Sequence, residues 1–261
     1  GMVVVTGDIK VDYTPIDTTI LDFEKISKLS GQGVLLLLGD STNSTKEGFS
    51  KSEKIVARAL EEKISKTSKR IIATTFASSL YRLQSFITSA EKNNRKVIPI
   101  GQSMEENNKI AKEEGYLKAQ PDTVLSPKDM KRLKDKEILV LTTGSQGEPN
   151  SALNRMVDKT HRFLELTPND FVMFSSNTIP GNEKSVIQLK NKLTKMGVEF
   201  YQGEDIHTSG HGYQEELKLI LSLFQPKYFM PVHGEFSLLN QHVQLAKETC
   251  FFCELSMLIQ H

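Results

Sequence analysis

An α/β fold with largely parallel sheets is the class this sequence predicts, and three observations carry it. Short apolar runs of strand length alternate with amphipathic runs of helical length along the 261 residues. The strand-like runs, such as "GVLLLLGD" (33–40) and "KRIIATTF" (69–76), each hold an uninterrupted apolar stretch (34–38 and 71–73), as in sheets covered on both faces by crossover helices. No internal repeat, low-complexity segment or Pro/Gly/Ser-rich linker interrupts the alternation.

Taken in order, "VVVTGDIK" (3–10) reads as a first strand, and "GVLLLLGD" as a second strand running into a polar loop. "SKSEKIVARALEEKISK" (50–66) reads as a helix that Ser50 or Ser52 can cap, with Ile55, Val56, Ala59, Leu60 and Ile64 on one face. Strand "KRIIATTF" is followed by helix "SSLYRLQSFITSAEKN" (78–93), strand "RKVIPIG" (95–101) and helix "SMEENNKIAKEEGY" (103–116). Ser126 and Pro127 are a cap and first-turn pair. Further strands are "KEILVLTTG" (136–144), "NDFVMFSS" (169–176), "VEFYQG" (198–203) and "PKYFMPVHG" (226–234). Helices at 181–197 and 212–224 lie among them.

Composition narrows the function. The chain carries 33 basic and 32 acidic residues, a net charge of +1, which excludes a strongly basic nucleic-acid arm but allows a local basic groove. No apolar run approaches the roughly 20 residues that span a bilayer, and the N-terminus lacks the pattern of a signal peptide. The expectation is a cytoplasmic protein with no membrane partner. Cys250 and Cys253 form a C-x-x-C pair, read as incidental buried thiols because no second pair completes a zinc knuckle.

In open α/β sheets, ligands gather at the carboxyl ends of strands. Six polar clusters fall at such ends: 6–8, 39–43, 142–149, 175–183, 205–212 and 231–235. Each is also ordinary turn chemistry, but together they suggest one assembled site. Asp8 after the first strand and His233 after the last are placed as metal ligands would be. Asp40 could accept a hydrogen bond from a metal-bound histidine, or only cap its loop. His207 and His211 flank "TSG", a tight loop before a helix, where backbone N–H groups and the Ser209 hydroxyl would suit a phosphate. Structural histidines in a capping loop are the alternative. Ser145 in "TTGSQGEP" could help cradle a phosphate, although the loop lacks the Lys-Ser/Thr ending of a nucleotide triphosphatase. Arg82, Lys10 and Arg155 are candidate phosphate contacts.

Seven stretches, "TGDIKVDYTP", "LLLLGDSTNS", "ATTFASSLYRLQ", "TTGSQGEP", "FSSNTIPGNE", "DIHTSGHG" and "FMPVHGEF", in this order resemble bacterial ribonuclease J, of the β-CASP group of the metallo-β-lactamase superfamily. The resemblance runs from about residue 3 to about residue 250. It implies a β-CASP domain (53–195) inserted into a partial metallo-β-lactamase αββα domain (1–52 and 196–261), with RNA between the two. It implies an RNA hydrolase, 5′-3′ exonuclease and endonuclease, with two zinc ions, acting in RNA decay and maturation, rRNA processing included. Single-stranded RNA is the implied partner, along with a homo-oligomer or RNA-decay proteins. By motif, Asp8 resembles the metal-bridging aspartate and His233 the last histidine ligand. Asp40 resembles the acidic residue behind the metals, and His211 the histidine facing the scissile phosphate. His207, Ser209 and Gly210 resemble the loop that holds a nucleotide phosphate, and His233 points to the RNA-acting branch over the DNA-repair branch.

One departure stands out. The family's His-x-His-x-Asp-His motif is not in this sequence: its histidines are His161, His207, His211, His233, His242 and His261, and none precedes Asp8. The expectation is therefore a piece of such an enzyme, without the N-terminal lactamase half and inactive alone. A natural metal-free paralogue that binds RNA or a partner is the alternative.

Overall fold

The computed structural model describes residues 1–16, 20–249 and 254–255. Cys250, Cys253 and His261 lie outside the described residues, so the reading of the C-x-x-C pair is not addressed by it. Along the chain run β1 (Met2–Val5), α1 (Phe23–Gly31), β2 (Val34–Asp40), α2 (Glu53–Ser65), β3 (Arg70–Thr74), α3 (Leu80–Lys92), β4 (Lys96–Ile100) and α4 (Gln102–Glu113). They continue as β5 (Ile138–Thr142), α5 (Ala152–Val157), β6 (Asp170–Phe174), α6 (Glu183–Lys195), β7 (Glu199–Gln202), α7 (Gln214–Phe224), β8 (Tyr228–Val232), α8 (Phe236–Thr249) and β9 (Glu254–Leu255). The strands and longer helices expected from periodicity are present. The expectation omitted α1, α5 and α8. The segment opened by Ser126 and Pro127 is a short 3-10 helix, with Ser126 Oγ donating to Asp129 at 2.7 Å.

The chain divides into two compact units, residues 53–208 and residues 1–52 with 209–261. The first is built on a five-stranded parallel sheet of order β4-β5-β3-β6-β7. Because side chains alternate across a strand, neighbouring residues serve two different cores. Ile71, Ala73, Leu139, Leu141 and Met173 pack with Val56, Leu60, Leu83 and Phe86 of α2 and α3. Ile72, Val140, Val172 and Phe174 pack on the opposite face with Leu153 and Met156 of α5 and with Leu189 and Leu193 of α6. Within α2 the core stripe is Val56, Leu60 and Ile64, whereas Ile55 is exposed. The unit extends to Thr208, beyond the 195/196 division suggested by sequence, because β7 pairs in parallel with β6.

The second unit carries the parallel sheet β1-β2-β8-β9. Leu37 of β2 and Phe229 of β8 lie opposite each other in register and join Ile26 of α1, Ile220, Leu221 and Phe224 of α7 and Ala246 of α8 in its core. A Cβ at residue 39 would sit 2.8 Å from the Phe229 ring, so only glycine fits where β2 meets this layer. No helix among the described residues is long and apolar enough to cross a membrane.

Candidate metal and phosphate site

Three neighbouring parallel strands of the 1–52/209–261 unit end at the same edge of their sheet, and each delivers one candidate side chain there. Asp8 follows β1 after the turn at Gly7, whose φ is +58°. Asp40 is the last residue of β2, and His233 follows β8 directly. The loop before α7 supplies His211. The expected convergence is present: Asp8, Asp40 and His211 each offer one ligand atom within 4.8 Å of the other two. His233 Nδ1 lies 3.5 Å from Asp8 Oδ1 and 3.9 Å from Asp40 Oδ1. His211 Nε2 lies 4.0 Å from Asp8 Oδ2.

These separations suit a shared ion. Two ligands about 2.0–2.1 Å from a tetrahedral zinc stand roughly 3.3 Å apart, close to the Asp8–His233 spacing. Carboxylate oxygens and imidazole nitrogens are donors that zinc and other divalent transition metals accept. Asp8 and His233, with side chains 67% and 53% exposed, are open to an ion, while Asp40, at 1%, has both oxygens engaged. Its Oδ1 accepts from the Thr42 amide and hydroxyl, and its Oδ2 from the Ile9 amide and from His211 Nδ1. Asp40 thus holds Ile9, Thr42 and His211 in place.

The electrostatics follow from that wiring. Burial alone would raise the pKa of Asp40, but hydrogen bonds from His211 and Thr42 outweigh it and hold the carboxyl at about 2. In return, the hydrogen bond to Asp40 raises the His211 pKa against its own partial burial, with further help from Asp8. His211 Nδ1–H donates to Asp40 at 2.6 Å, which turns Nε2 towards Asp8. His233 holds a φ of +59°, a left-handed conformation unusual for a residue with a Cβ. Strain of this kind gathers where a side chain must be aimed.

The loop around His211 is tied down by its own unit. Ser209 Oγ accepts from Asn43 Nδ2 and from the His211 amide, and Ser209 O accepts from Lys10 Nζ. Gly210 has neither a positive φ nor any atom within 4 Å of a built Cβ. One reason for a glycine in such open space is close approach of a ligand to the backbone. The start of α7 corrects the sequence reading of a phosphate cradle. The amides of Gln214 and Glu215 donate to Lys46 O and Gly48 O, and that of Tyr213 to Glu216, so these donors are already used.

With that geometry established, two family models match the chain. One, described as "Ribonuclease J, beta-CASP domain", covers residues 68–193. The other, described as "Zn-dependent metallo-hydrolase RNA specificity domain", covers residues 201–253. The chain is 44% identical to Ribonuclease J 1 of Streptococcus pyogenes over 97% of its own length and 47% of that protein. It is 42% identical to Ribonuclease J of Helicobacter pylori over 97% of its length and 36% of that protein. For Ribonuclease J of Thermus thermophilus the identity is 43% over 90% of this chain and 41% of the relative.

This chain belongs to the ribonuclease J family. It spans between 36% and 47% of the length of these relatives. Its five-stranded unit carries the β-CASP match, and the stretch matching the zinc-dependent metallo-hydrolase domain contains His207, Ser209, Gly210, His211 and His233.

Ser145 is buried at the carboxyl end of β5, beside Gln146, whose amide donates to Asn177 O at 2.8 Å. His207 belongs to the 53–208 unit, with Arg82 Nη1 3.4 Å from its Nδ1. Arg82 was a candidate for meeting phosphate at the surface, but it is only 1% exposed and spends its donors inside the protein. Arg155 is exposed, and Lys10 ties loops together through Lys51 O and Ser209 O.

Two functional supports escaped the sequence reading. His242 on α8 is buried, with Nδ1 3.0 Å from Ser41 Oγ, next in sequence to Asp40, and its ring against Phe229. Burial lowers its pKa to about 4 despite the attraction of Asp40. Glu216 is buried in α7 and accepts from the amides of Val11, Ser50 and Tyr213 and from the Ser50 hydroxyl. The available signal was a glutamate at the third position of a helix, able to accept from the amide three residues before it.

Proposed function

We propose that this chain is part of a ribonuclease J-type RNA hydrolase. In this reading Asp8 and His233 are metal ligands, Asp40 an orienting acid, and His211 the group that faces the scissile phosphate. The observation that carries it is the meeting of Asp8, Asp40, His211 and His233 at one sheet edge. Bound zinc supplies Lewis acidity that activates water near neutral pH. This chain's own residues do the rest. Asp40 holds the Nδ1 side of His211, so that a protonated His211 offers Nε2–H to a phosphate oxygen or a leaving group. His207, Ser209, Gly210 and Ser145 are the proposed RNA-binding positions.

The proposal extends to two zinc ions, to 5′-3′ exonuclease and endonuclease action in RNA decay and maturation, and to a cytoplasmic setting. Its support is the family membership together with the donor set. Two open ligands, Asp8 and His233, are too few for two ions that each want about four. This polypeptide alone is therefore expected to bind a divalent ion weakly and to leave RNA intact. The test is incubation of the chain with 5′-monophosphorylated RNA and zinc or manganese. Robust cleavage abolished by His233→Ala would overturn the expected inactivity. A zinc affinity unchanged by Asp8→Asn and His233→Ala together would overturn the metal assignment.

A further inference from the structure

A cavity of about 250 Å³ lies between α4 and the segment 117–127, wholly within the 53–208 unit. Its walls are apolar: Ile87 of α3, with Leu117, Val124 and Leu125 of the segment. Two oxygens that face it have no hydrogen-bond donor among the described residues. The first belongs to Asn108, a lining residue only 5% exposed. Its Nδ2 donates to Met104 O at 2.9 Å and lies 3.3 Å from Met104 Sδ, which fixes the orientation of the amide, because an oxygen in that place would face two acceptors. Oδ1 is left over. Every fully enclosed side-chain nitrogen or oxygen among the described residues has a partner, so Oδ1 is reached from open space, and the open space beside this buried residue is the cavity. The second oxygen is the carbonyl of Pro99, on the outer edge of β4. Val97 gives its amide to Thr123 O and accepts that of Leu125, so its backbone groups point away from β5. Backbone groups alternate in direction along a strand, so those of Pro99 point the same way, and proline has no N–H to offer.

A ligand that fits must bring hydrogen-bond donors into an apolar space. The volume lies below the roughly 300 Å³ at which sites for drug-sized ligands begin, so a single ring system is the size that suits it. At the rim stand Lys109 and Lys112 against Glu105, whose Oε1 already accepts the Gly101 amide. Glu113 approaches Lys109 only to 4.0 Å with both side chains exposed, a weak pair, and Lys112 has no ion-pair partner among the described residues. The balance favours an anionic group outside and disfavours a cationic ring inside. An uncharged planar ring with an exocyclic amino group, joined to a phosphate, meets all of these conditions. We propose that the cavity is a nucleotide site for an amino-bearing base, adenine or cytosine. The amino group turns toward Asn108 Oδ1 and Pro99 O, and the phosphate toward Lys109 and Lys112. The site uses none of the residues of the function proposed above and stands without it.

Titration of the full chain, 15N-labelled and followed by 1H–15N spectra, tests this with adenosine monophosphate, inosine monophosphate and inorganic phosphate as probes. Inosine monophosphate has the same outline but a carbonyl in place of the amino group, so it sets an acceptor against two acceptors. Adenosine monophosphate should shift the resonances of Asn108, Leu117 and Val124, and inosine monophosphate should bind about tenfold more weakly. Asn108→Leu should erase that preference, while Lys109→Ala combined with Lys112→Ala should weaken both nucleotides alike. Equal binding of the two nucleotides overturns the proposal, as do shifts that inorganic phosphate alone reproduces and a preference unchanged in a folded Asn108→Leu. No shift at millimolar nucleotide overturns it too, and leaves water to answer the two oxygens. If Asn108→Leu does not fold, the comparison of the two nucleotides on the parent chain decides the matter. A single-stranded oligoadenylate distinguishes the sources of the base. Shifts of the same cavity resonances, lost on competition with adenosine monophosphate, support an RNA base as the occupant, and shifts by the mononucleotide alone support the free nucleotide.

Discussion

Nδ1 of His211 stands 2.6 Å from Oδ2 of Asp40, a buried carboxylate at the end of a central strand. A pair this short couples both titrations: the acid is held ionised, and the imidazole is biased towards its charged form. Asp40→Asn removes the largest influence raising the His211 pKa and leaves burial opposing it. The His211 pKa in this variant should fall from its raised position, with Asp8 alone left to oppose burial and Lys46. Histidine-resolved NMR titration measures it in metal-free buffer, and an unmoved pKa would remove Asp40 from its assigned role.

Two histidines should shape stability on opposite sides of neutrality. His242 is kept neutral in the fold down to about pH 4, while the unfolded chain takes up that proton near pH 6.5. Between those values the unfolded state binds more protons, so its effect is to lower stability as pH falls from 6.5 to 4. At about 1.36 kcal/mol per unit the loss is roughly 3 kcal/mol. His211, with its pKa raised by Asp40, acts in the other direction: its contribution is complete below about pH 6.5 and disappears as pH rises through the folded value. Urea midpoints of the 1–52/209–261 unit, measured against pH in the presence of chelator, should show the acid slope reduced in His242→Gln and the alkaline slope reduced in His211→Asn. Unchanged slopes in both variants would contradict the wiring.

His233 sits at a φ of +59°, where glycine is at ease and a Cβ is not. His233→Gly should therefore stabilise the unit by about 1 kcal/mol while weakening zinc binding. Stability and metal affinity moving in opposite directions is the diagnostic result. A destabilised His233→Gly in chelator would mean that the imidazole serves packing.

Much of this site was legible because strand ends are legible. Asp8, Asp40 and His233 each follow an apolar run, and parallel pairing brings such ends to one edge. What escaped were contacts made by residues distant in sequence. Nothing local tells that the carbonyls of Lys46 and Gly48 occupy the amides at the start of α7, which made a Ser/Gly loop look like an anion cradle. Arg82 reads as a polar residue of an amphipathic helix, and its burial depends on Glu53, a residue from another helix. His242 lies on the inner face of α8, where one would expect an apolar residue, and its partner Ser41 comes from the loop after β2. The division at Thr208 depended on whether β7 pairs with β6, which hydrophobic patterning does not encode.

Glu216 offers the sharpest test of how the loops beneath the site are held. Its carboxylate is buried, the residue being 1% exposed, and gathers the amides of Val11, Ser50 and Tyr213 from three chain segments. Removing one partner from a buried, charge-assisted set leaves the others desolvated and unpaired, at a cost on the order of 3–5 kcal/mol. Glu216→Ala should lose that much, whereas Glu216→Gln keeps one acceptor oxygen and should lose less. Because Ser50 and Val11 flank the segments that carry Asp40 and Asp8, the alanine variant should also weaken the zinc-induced changes in the His211 resonances. Equal urea midpoints for Glu216→Ala and the parent chain would show that the carboxylate holds nothing together.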